Sequence, residues 1–116
     1  MTTPNPDLVD YISFFESEPS LITPGTEWYY GVRFSSIRGT DKISASVAPD
    51  EGEFSFKWWR DEQLQADLNL AGVSKWAIEE KDKEERLVLK FEQLKIPYFI
   101  LQLKPHICVS WQVAWA

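Results

Sequence analysis

The spacing of hydrophobic residues along the chain changes from helical to alternating near residue 25. Before that point, apolar residues recur three and four positions apart, at Leu8, Ile12 and Phe15. Asn5-Pro6 precedes them and suits an N-cap followed by proline at the first helical position. The spacing therefore predicts one short amphipathic helix over residues 6–17.

From Thr26 onwards, apolar and polar residues alternate, which is typical of β-strands that bury one face. Residues that favour turns separate the alternating segments from one another. About eight strands are predicted in this way, over residues 26–36, 42–48, 53–59, 62–71, 73–80, 86–92, 98–103 and 106–115.

Residues 62–71 allow two interpretations. Their composition favours a helix by intrinsic propensity. Their apolar residues nevertheless alternate strictly, at Leu64, Ala66, Leu68 and Leu70. Because periodicity is a stronger signal than propensity, we interpret the segment as a strand.

One helix and about eight short strands at regular spacing predict a mainly β (α+β) fold. In that fold the N-terminal helix packs on an antiparallel meander, which closes into a barrel or splits into a sandwich. The length of 116 residues fits a single domain spanning residues 1–116.

A first candidate binding surface combines aromatic and basic residues from two predicted strands. Trp58 and Trp59 are adjacent, so they point to opposite faces of their strand, and Trp59 shares its face with Lys57. Tyr29 and Arg33 share one face of the first strand. If these faces adjoin, Tyr29, Arg33, Lys57 and Trp59 form a patch suited to a protein interface or to stacking on a sugar ring. In the alternative interpretation, a phenylalanine of the N-terminal helix covers Trp59.

A second candidate surface lies on the predicted final strand, which holds the single histidine and the single cysteine of the chain. Residues two apart on a strand face the same side. The polar face therefore consists of His106, Cys108, Ser110 and Gln112. The opposite face is apolar and is predicted to be core, with Ile107, Val109, Trp111, Val113 and Trp115. A thiol beside an imidazole suggests a nucleophile, but a polar strand face without chemistry explains the same pattern.

Composition and charge narrow the function further. Acidic residues outnumber basic residues by 18 to 12, and the net charge of −6 disfavours nucleic acids and anionic membranes while favouring a basic partner. No apolar run is long enough to span a membrane, and residues 1–15 lack the basic start of a secretory signal. The single cysteine is typical of a reducing compartment. We expect a cytoplasmic protein without a cofactor or a metal, because one histidine and one cysteine are too few ligands.

Catalytic motifs are missing from the sequence. It contains none of the glycine-rich phosphate-binding, serine-hydrolase or zinc-protease signatures. The paired acids Asp61-Glu62 and Glu84-Glu85 sit at predicted turn tips beside basic residues, where exposure to solvent accounts for them.

These observations predict a non-enzymatic protein-binding module, such as an accessory subunit, an inhibitor or a toxin-neutralising partner. A second hypothesis is a β-barrel that binds a small ligand in a pocket lined by Trp28, Trp76 and Trp111. A third is a thiol enzyme that uses Cys108 and His106. The apolar final strand is also suited to edge-to-edge pairing in a homodimer.

Overall fold

A computed structural model describes residues 1–91 and 98–112 of the chain. Its described residues form one α-helix, α1 (Leu8–Phe15), and two antiparallel sheets, which confirms the predicted mainly β fold. The strands are β1 (Thr2–Pro4), β2 (Ser20–Leu21), β3 (Val32–Arg38), β4 (Asp41–Ala48), β5 (Glu53–Arg60), β6 (Gln63–Leu70), β7 (Val73–Lys81), β8 (Glu84–Phe91), β9 (Tyr98–Lys104) and β10 (Cys108–Gln112). No helix in residues 1–91 and 98–112 has the length and apolar character needed to cross a bilayer.

The chain divides into two compact units, Met1–Phe14 with Gly72–Ala116 and Phe15–Ala71. Sheet 1 belongs to the first unit and has the strand order β1-β7-β8-β9-β10. Sheet 2 belongs to the second unit and has the order β2-β3-β4-β5-β6. Apart from β1, strands that are adjacent within each sheet are also consecutive along the chain, as expected of a meander. The single domain over residues 1–116 stays a prediction.

Two features near the start of the chain differ from the prediction, whereas the ambiguous segment 62–71 agrees with it. β1 and β2 were not predicted, because three and two residues are too short for a periodic pattern. The helix is capped by Asp7 rather than Asn5: the Asp7 backbone N–H donates to Asp10 Oδ2 at 2.8 Å, and the Leu8 N–H donates to Asp7 Oδ1 at 2.7 Å. Residues 62–71 form a strand, β6, as the alternation indicated.

Sheet 2 is organised around β4, whose alternate residues Ile43, Ala45 and Val47 are buried. The register sets Ala45 opposite Phe34 of β3 on one side and opposite Phe56 of β5 on the other. These residues form the apolar face of the sheet, and the last helical residue, Phe15, stacks on Phe34 with ring centroids 4.8 Å apart. Other buried residues on this face are Val32 and Phe54.

Sheet 1 also buries one face. Its central strands β8 and β9 contribute Leu87, Leu89, Phe99 and Leu101, all 1% exposed or less. The register sets Leu89 of β8 opposite Phe99 of β9, and Leu87 opposite Leu101. The core of this unit therefore centres on the β8–β9 pair.

The final strand is less buried than the sequence predicted. Ile107 is buried and Val109 is half-buried, but Trp111 is 52% exposed. The assignment of Trp111 to the core is therefore wrong. The reason is its position, because β10 is the outermost described strand of sheet 1 and has a neighbour on one side only. Val113 and Trp115 lie outside the described residues.

The first predicted strand begins six residues later than expected. Trp28–Tyr30 forms a single 3₁₀ turn, in which the Tyr30 N–H donates to the Glu27 carbonyl at 3.2 Å. Gly31 follows with a φ of +151°, which L-residues rarely adopt, and the strand starts at Val32. The prediction that Tyr29 and Arg33 share a strand face is therefore wrong, because Gly31 redirects the backbone between them.

Truncation of Phe99 and Trp111, which are opposite each other on β9 and β10, tests the revised core. Phe99 is 1% exposed, so Phe99→Ala is expected to lower the free energy of unfolding by about 3–5 kcal/mol. Trp111→Ala is expected to cost about 1 kcal/mol, because half of its side chain already meets solvent. Urea denaturation measures both values. Equal losses in the two variants would contradict the edge position of Trp111.

Replacement of Gly31 by alanine tests the turn that precedes β3. A Cβ at Gly31 would lie 3.1 Å from Ile22 Cδ1, and the φ of +151° is unfavourable for alanine. We expect Gly31→Ala to destabilise the protein by about 1–3 kcal/mol in chemical denaturation. The control is Gly39→Ala, where a Cβ meets nothing within 4 Å and only the positive φ of +61° opposes it. Gly39→Ala should lower the free energy of unfolding by less than Gly31→Ala does.

Candidate functional site

The polar face of sheet 2 carries three of the predicted binding residues. Arg33 lies opposite Ser46, which lies opposite Ser55, and Lys57 lies opposite Ser44. Trp59 follows two positions after Lys57 and so shares its face. The structure thus brings Arg33, Lys57 and Trp59 to one side of the sheet, where Arg33 and Lys57 are exposed and Trp59 is half-buried.

A row of four side chains crosses this face at its far end. The register sets Ile37 of β3 opposite Lys42 of β4, Lys42 opposite Trp59 of β5, and Trp59 opposite Leu64 of β6. Ile37 is 75% exposed and Leu64 is 54% exposed. The Lys42 ammonium lies 5.3 Å from the centroid of the Trp59 ring, a cation–π contact. We call these four residues the tryptophan row.

A β-bulge explains why Leu64 joins this row. Trp58 pairs with Ala66 while the next residue, Trp59, pairs with Leu64, so Gln65 is an extra residue in β6. The bulge shifts the alternation by one position, and Leu64 faces the opposite way from Leu68. The predicted strict alternation through Leu64 is therefore wrong at that residue, because the bulge breaks the period.

A surface groove of about 440 Å³ lies beside three residues of the tryptophan row. Its walls include Ile37, Lys42 and Trp59, and Glu62 of the β5–β6 turn also contributes. The alternative in which the helix covers Trp59 does not hold for Phe15, because Phe15 stacks on Phe34 of the apolar face. The indole of Trp59 consequently borders an open groove.

Sequence reasoning missed three members of the row, namely Ile37, Lys42 and Leu64. The exposure of Ile37 could have been predicted, because Ile37 lies on the same strand face as the polar residues Arg33 and Ser35. An apolar residue at a position that alternation assigns to solvent indicates an interaction surface. Lys42 and Leu64 had no such signal, since their places depend on long-range register and on a bulge.

The neighbouring tryptophan, Trp58, anchors the strand that presents Trp59. Its indole Nε1 donates to Asp41 Oδ1 at 2.9 Å, and Arg60 Nε donates to the same oxygen at 2.9 Å. The Arg60 guanidinium also lies 5.2 Å from the Trp58 ring centroid. The hydrogen bond from Arg60, assisted by that from Trp58, holds the pKa of Asp41 below its usual range. This cluster ties the start of β4 to the end of β5.

Tyr29, the fourth residue of the first predicted patch, lies apart from the other three. Its 3₁₀ turn precedes β3, whereas Trp59 lies near the end of β5, the strand end that pairs with the start of β4. The Tyr29 ring contacts Trp28 edge-on and Tyr30 at a tilt, with centroids 6.0 Å and 5.0 Å away. Loss of hydration, together with the charges of Glu27 and Asp50, raises the pKa of Tyr29. The predicted four-residue patch is therefore divided.

Three residues of the second predicted surface, His106, Cys108 and Ser110, are exposed. His106 lies in the connection before β10 rather than on the strand, and Cys108 and Ser110 are exposed positions of β10. The backbone carbonyl of His106 accepts a hydrogen bond from Gln102 Nε2 at 3.3 Å. Cys108 lies opposite Gln102, and Gln112 lies opposite Tyr98. Within the described residues, no hydrogen bond or ion pair joins the Cys108 thiol to the His106 imidazole.

Asp61 and Glu62 lie at a hairpin turn, as predicted, whereas Glu84 and Glu85 are the first two residues of a strand. Asp61 and Glu62 connect β5 to β6, and both adopt a positive φ, +50° and +65°. Glu84 and Glu85 begin β8, and Glu85 Oε2 forms an ion pair with Lys104 Nζ at 2.7 Å. Their positions fit charged residues at a solvent-exposed surface.

A comparison with solved structures finds the same fold in another protein. One chain of the contact-dependent growth inhibition toxin–immunity protein complex from Klebsiella pneumoniae 342 superposes with a TM-score of 0.77. The superposition covers 92% of this chain and 93% of that chain, at 16% sequence identity. No protein-family model and no curated protein sequence matches this chain. The likeness therefore concerns the fold.

The Asp41 cluster makes a prediction about pH. A carboxylate with a lowered pKa stabilises the folded state above its unfolded pKa of about 3.9, and this stabilisation is lost as the pH falls through the lower folded-state pKa. Asp41→Asn removes the titrating group. We expect the variant to be less stable than the wild type at about pH 7, and the difference to shrink towards about pH 2.

Urea denaturation at several pH values measures this difference. Arg60→Met removes the first hydrogen-bond donor to Asp41. This variant should likewise make the free energy of unfolding depend less on pH. A difference between wild type and Asp41→Asn that stays constant as the pH falls would contradict the role assigned to Asp41.

Proposed function

We propose that this protein is a non-enzymatic binding module that neutralises a protein partner, in the manner of an immunity protein. The observation that carries this proposal is the tryptophan row, with Trp59 at its centre and two aliphatic side chains that are more than half exposed. Large apolar side chains contribute most of the binding energy when a partner covers them, and tryptophan is prominent among such anchors. The row gives this sheet face a centre that excludes water once it is covered.

The fold supports the same proposal. A chain of nearly equal length and similar topology occurs in a complex between a growth inhibition toxin and an immunity protein. Immunity to a toxin requires a stable surface and no catalytic group, and a rigid sheet face supplies such a surface. The exposed Cys108 and His106 are not joined by a hydrogen bond in the described residues, which gives a thiol enzyme no support.

The net charge of −6 is the third argument. Opposite charge accelerates association and suppresses binding of other acidic proteins. We therefore propose a partner with a basic binding surface.

The proposal is tested in two stages. Affinity capture on the tagged chain from its native lysate, followed by mass spectrometry, identifies the partner, which is then purified and titrated by calorimetry. Expressed alone in a test host, the partner should arrest growth, and co-expression of this chain should restore growth. A partner that leaves growth unaffected would refute the neutralising function.

Variants at two tryptophans, one on each sheet, locate the interface. Trp59→Ala is expected to weaken binding of the purified partner at least about tenfold, which corresponds to about 1.4 kcal/mol. Trp111→Ala removes an exposed tryptophan from sheet 1 and should leave the affinity within about twofold. Unfolding curves confirm that both variants are folded. The reverse order of effects would place the interface on sheet 1 instead.

A further inference from the structure

We infer that β6 is a docking edge, which receives an extended basic segment of the partner as an additional antiparallel or parallel strand of sheet 2. This inference rests on the proposed function and adds the place and chemistry of the contact. Strand addition to a sheet edge is a general mode of peptide recognition, in which the backbone supplies affinity and alternate side chains supply specificity.

The first observation is the free edge itself. β6 pairs with β5 on one side, and no strand of the described part of the chain pairs with its other side. The backbone N–H and C=O groups that point away from β5 are therefore without a strand partner, and only an extended polypeptide matches their spacing. This requirement selects the class of occupant.

The length of β6 distinguishes it from the edge strands β1 and β2. These have three and two residues, whereas β6 has eight. After the bulge at Gln65, the register from Ala66 to Leu70 runs unbroken against β5. Proteins usually protect such edges with proline, several charges, a short strand or a β-bulge, and the bulge of β6 lies before this regular part. β6 contains no proline and a single charged residue, Asp67.

Side-chain burial on the apolar face gives a second observation. Phe54 and Phe56 of β5 are 1% exposed or less, yet their opposite residues on β6, Leu70 and Leu68, are only half-buried. Ala66 is half-buried as well. The apolar face of sheet 2 thus loses its cover at β6, and an added strand with apolar residues at alternate positions would restore it.

Charge defines the other side of the added strand. Asp67 and Asn69 are exposed positions of β6 on the polar face. Asp67 lies opposite Lys57 of β5, but it forms no ion pair within the described residues. Asp61 and Glu62 lie at the turn that leads into β6. A lysine or arginine of the added strand beside Asp67 would be favourable, whereas a carboxylate at that place would be repelled. The occupant therefore alternates apolar and basic residues.

The docking edge is continuous with the tryptophan row, because Leu64 belongs to both. A strand added to β6 would place one of its side chains beside Leu64 and extend the row by one position. The row and the edge would then form one interface.

The experiment uses the full chain and synthetic peptides with blocked ends, so it does not depend on knowing the partner. A heptapeptide alternating lysine and valine is titrated into the ¹⁵N-labelled protein. We expect shifts of the backbone amides of residues 63–70 and slower hydrogen exchange of alternate amides there. A heptapeptide alternating glutamate and valine, and a peptide with the lysines and valines in two blocks, should bind more weakly.

Two charge variants make the test specific. Asp67→Asn should weaken the lysine–valine peptide about two- to fivefold. Glu84→Gln removes the same charge from an exposed position on sheet 1 and should leave its affinity unchanged. The inference would be contradicted if the glutamate and lysine peptides bound equally well. It would also be contradicted if millimolar peptide shifted no amide of residues 63–70, or shifted only amides outside that range.

A second copy of the chain is the competing occupant. Analytical ultracentrifugation without peptide, combined with hydrogen exchange, tests it: a dimer with protected β6 amides would overturn the inference, and a monomer with rapidly exchanging edge amides would support it. These outcomes are separate from growth protection. A partner neutralised without protection of residues 63–70 would leave the proposed function intact and refute the docking edge.

Discussion

The register of β4 between β3 and β5 is the constraint on which the exposed surface of sheet 2 depends. Side chains alternate along a strand, so a slip of one residue would exchange the two faces. Such a slip would turn Ile43 to the polar face and Lys42 to the apolar face. The hairpin turns and the hydrogen bonds from Trp58 and Arg60 to Asp41 fix the register at one end of the sheet. The position of Trp59 under Lys42 follows from that register.

Much of the fold was predictable because it follows from alternation, which is a local property. The strands of residues 42–48 and 53–59 agree closely with β4 and β5, and residues 62–71 form a strand despite their helical propensity. Burial of every second residue outweighs intrinsic preference once a sheet is present. Trp59 and Lys57 share a face for the same reason, so this part of the candidate surface could be predicted from one strand alone.

The remaining features depend on information that alternation does not contain. Gly31 interrupts the first strand, and Tyr29 lies in a 3₁₀ turn as a result. The bulge at Gln65 moves Leu64 to the polar face, and nothing in the local pattern marks it. The exposure of Trp111 depends on whether another strand lies beside β10, which is a long-range fact. Strand order across a sheet is set by the tertiary structure. The sequence therefore predicted which residues share a strand face better than it predicted which strands lie at a sheet edge.

Edges and faces make different demands on a partner. A face such as the tryptophan row accepts any complementary apolar shape, because hydrophobic contact is non-directional. An edge such as that of β6 accepts only an extended backbone, because its N–H and C=O groups recur at fixed intervals. A surface that joins both through Leu64 is therefore more selective than either part. In the proposed complex, the face would contribute affinity through Trp59, and the edge would fix the orientation of what is bound. This division would allow a chain without catalytic motifs to discriminate between partners of similar charge.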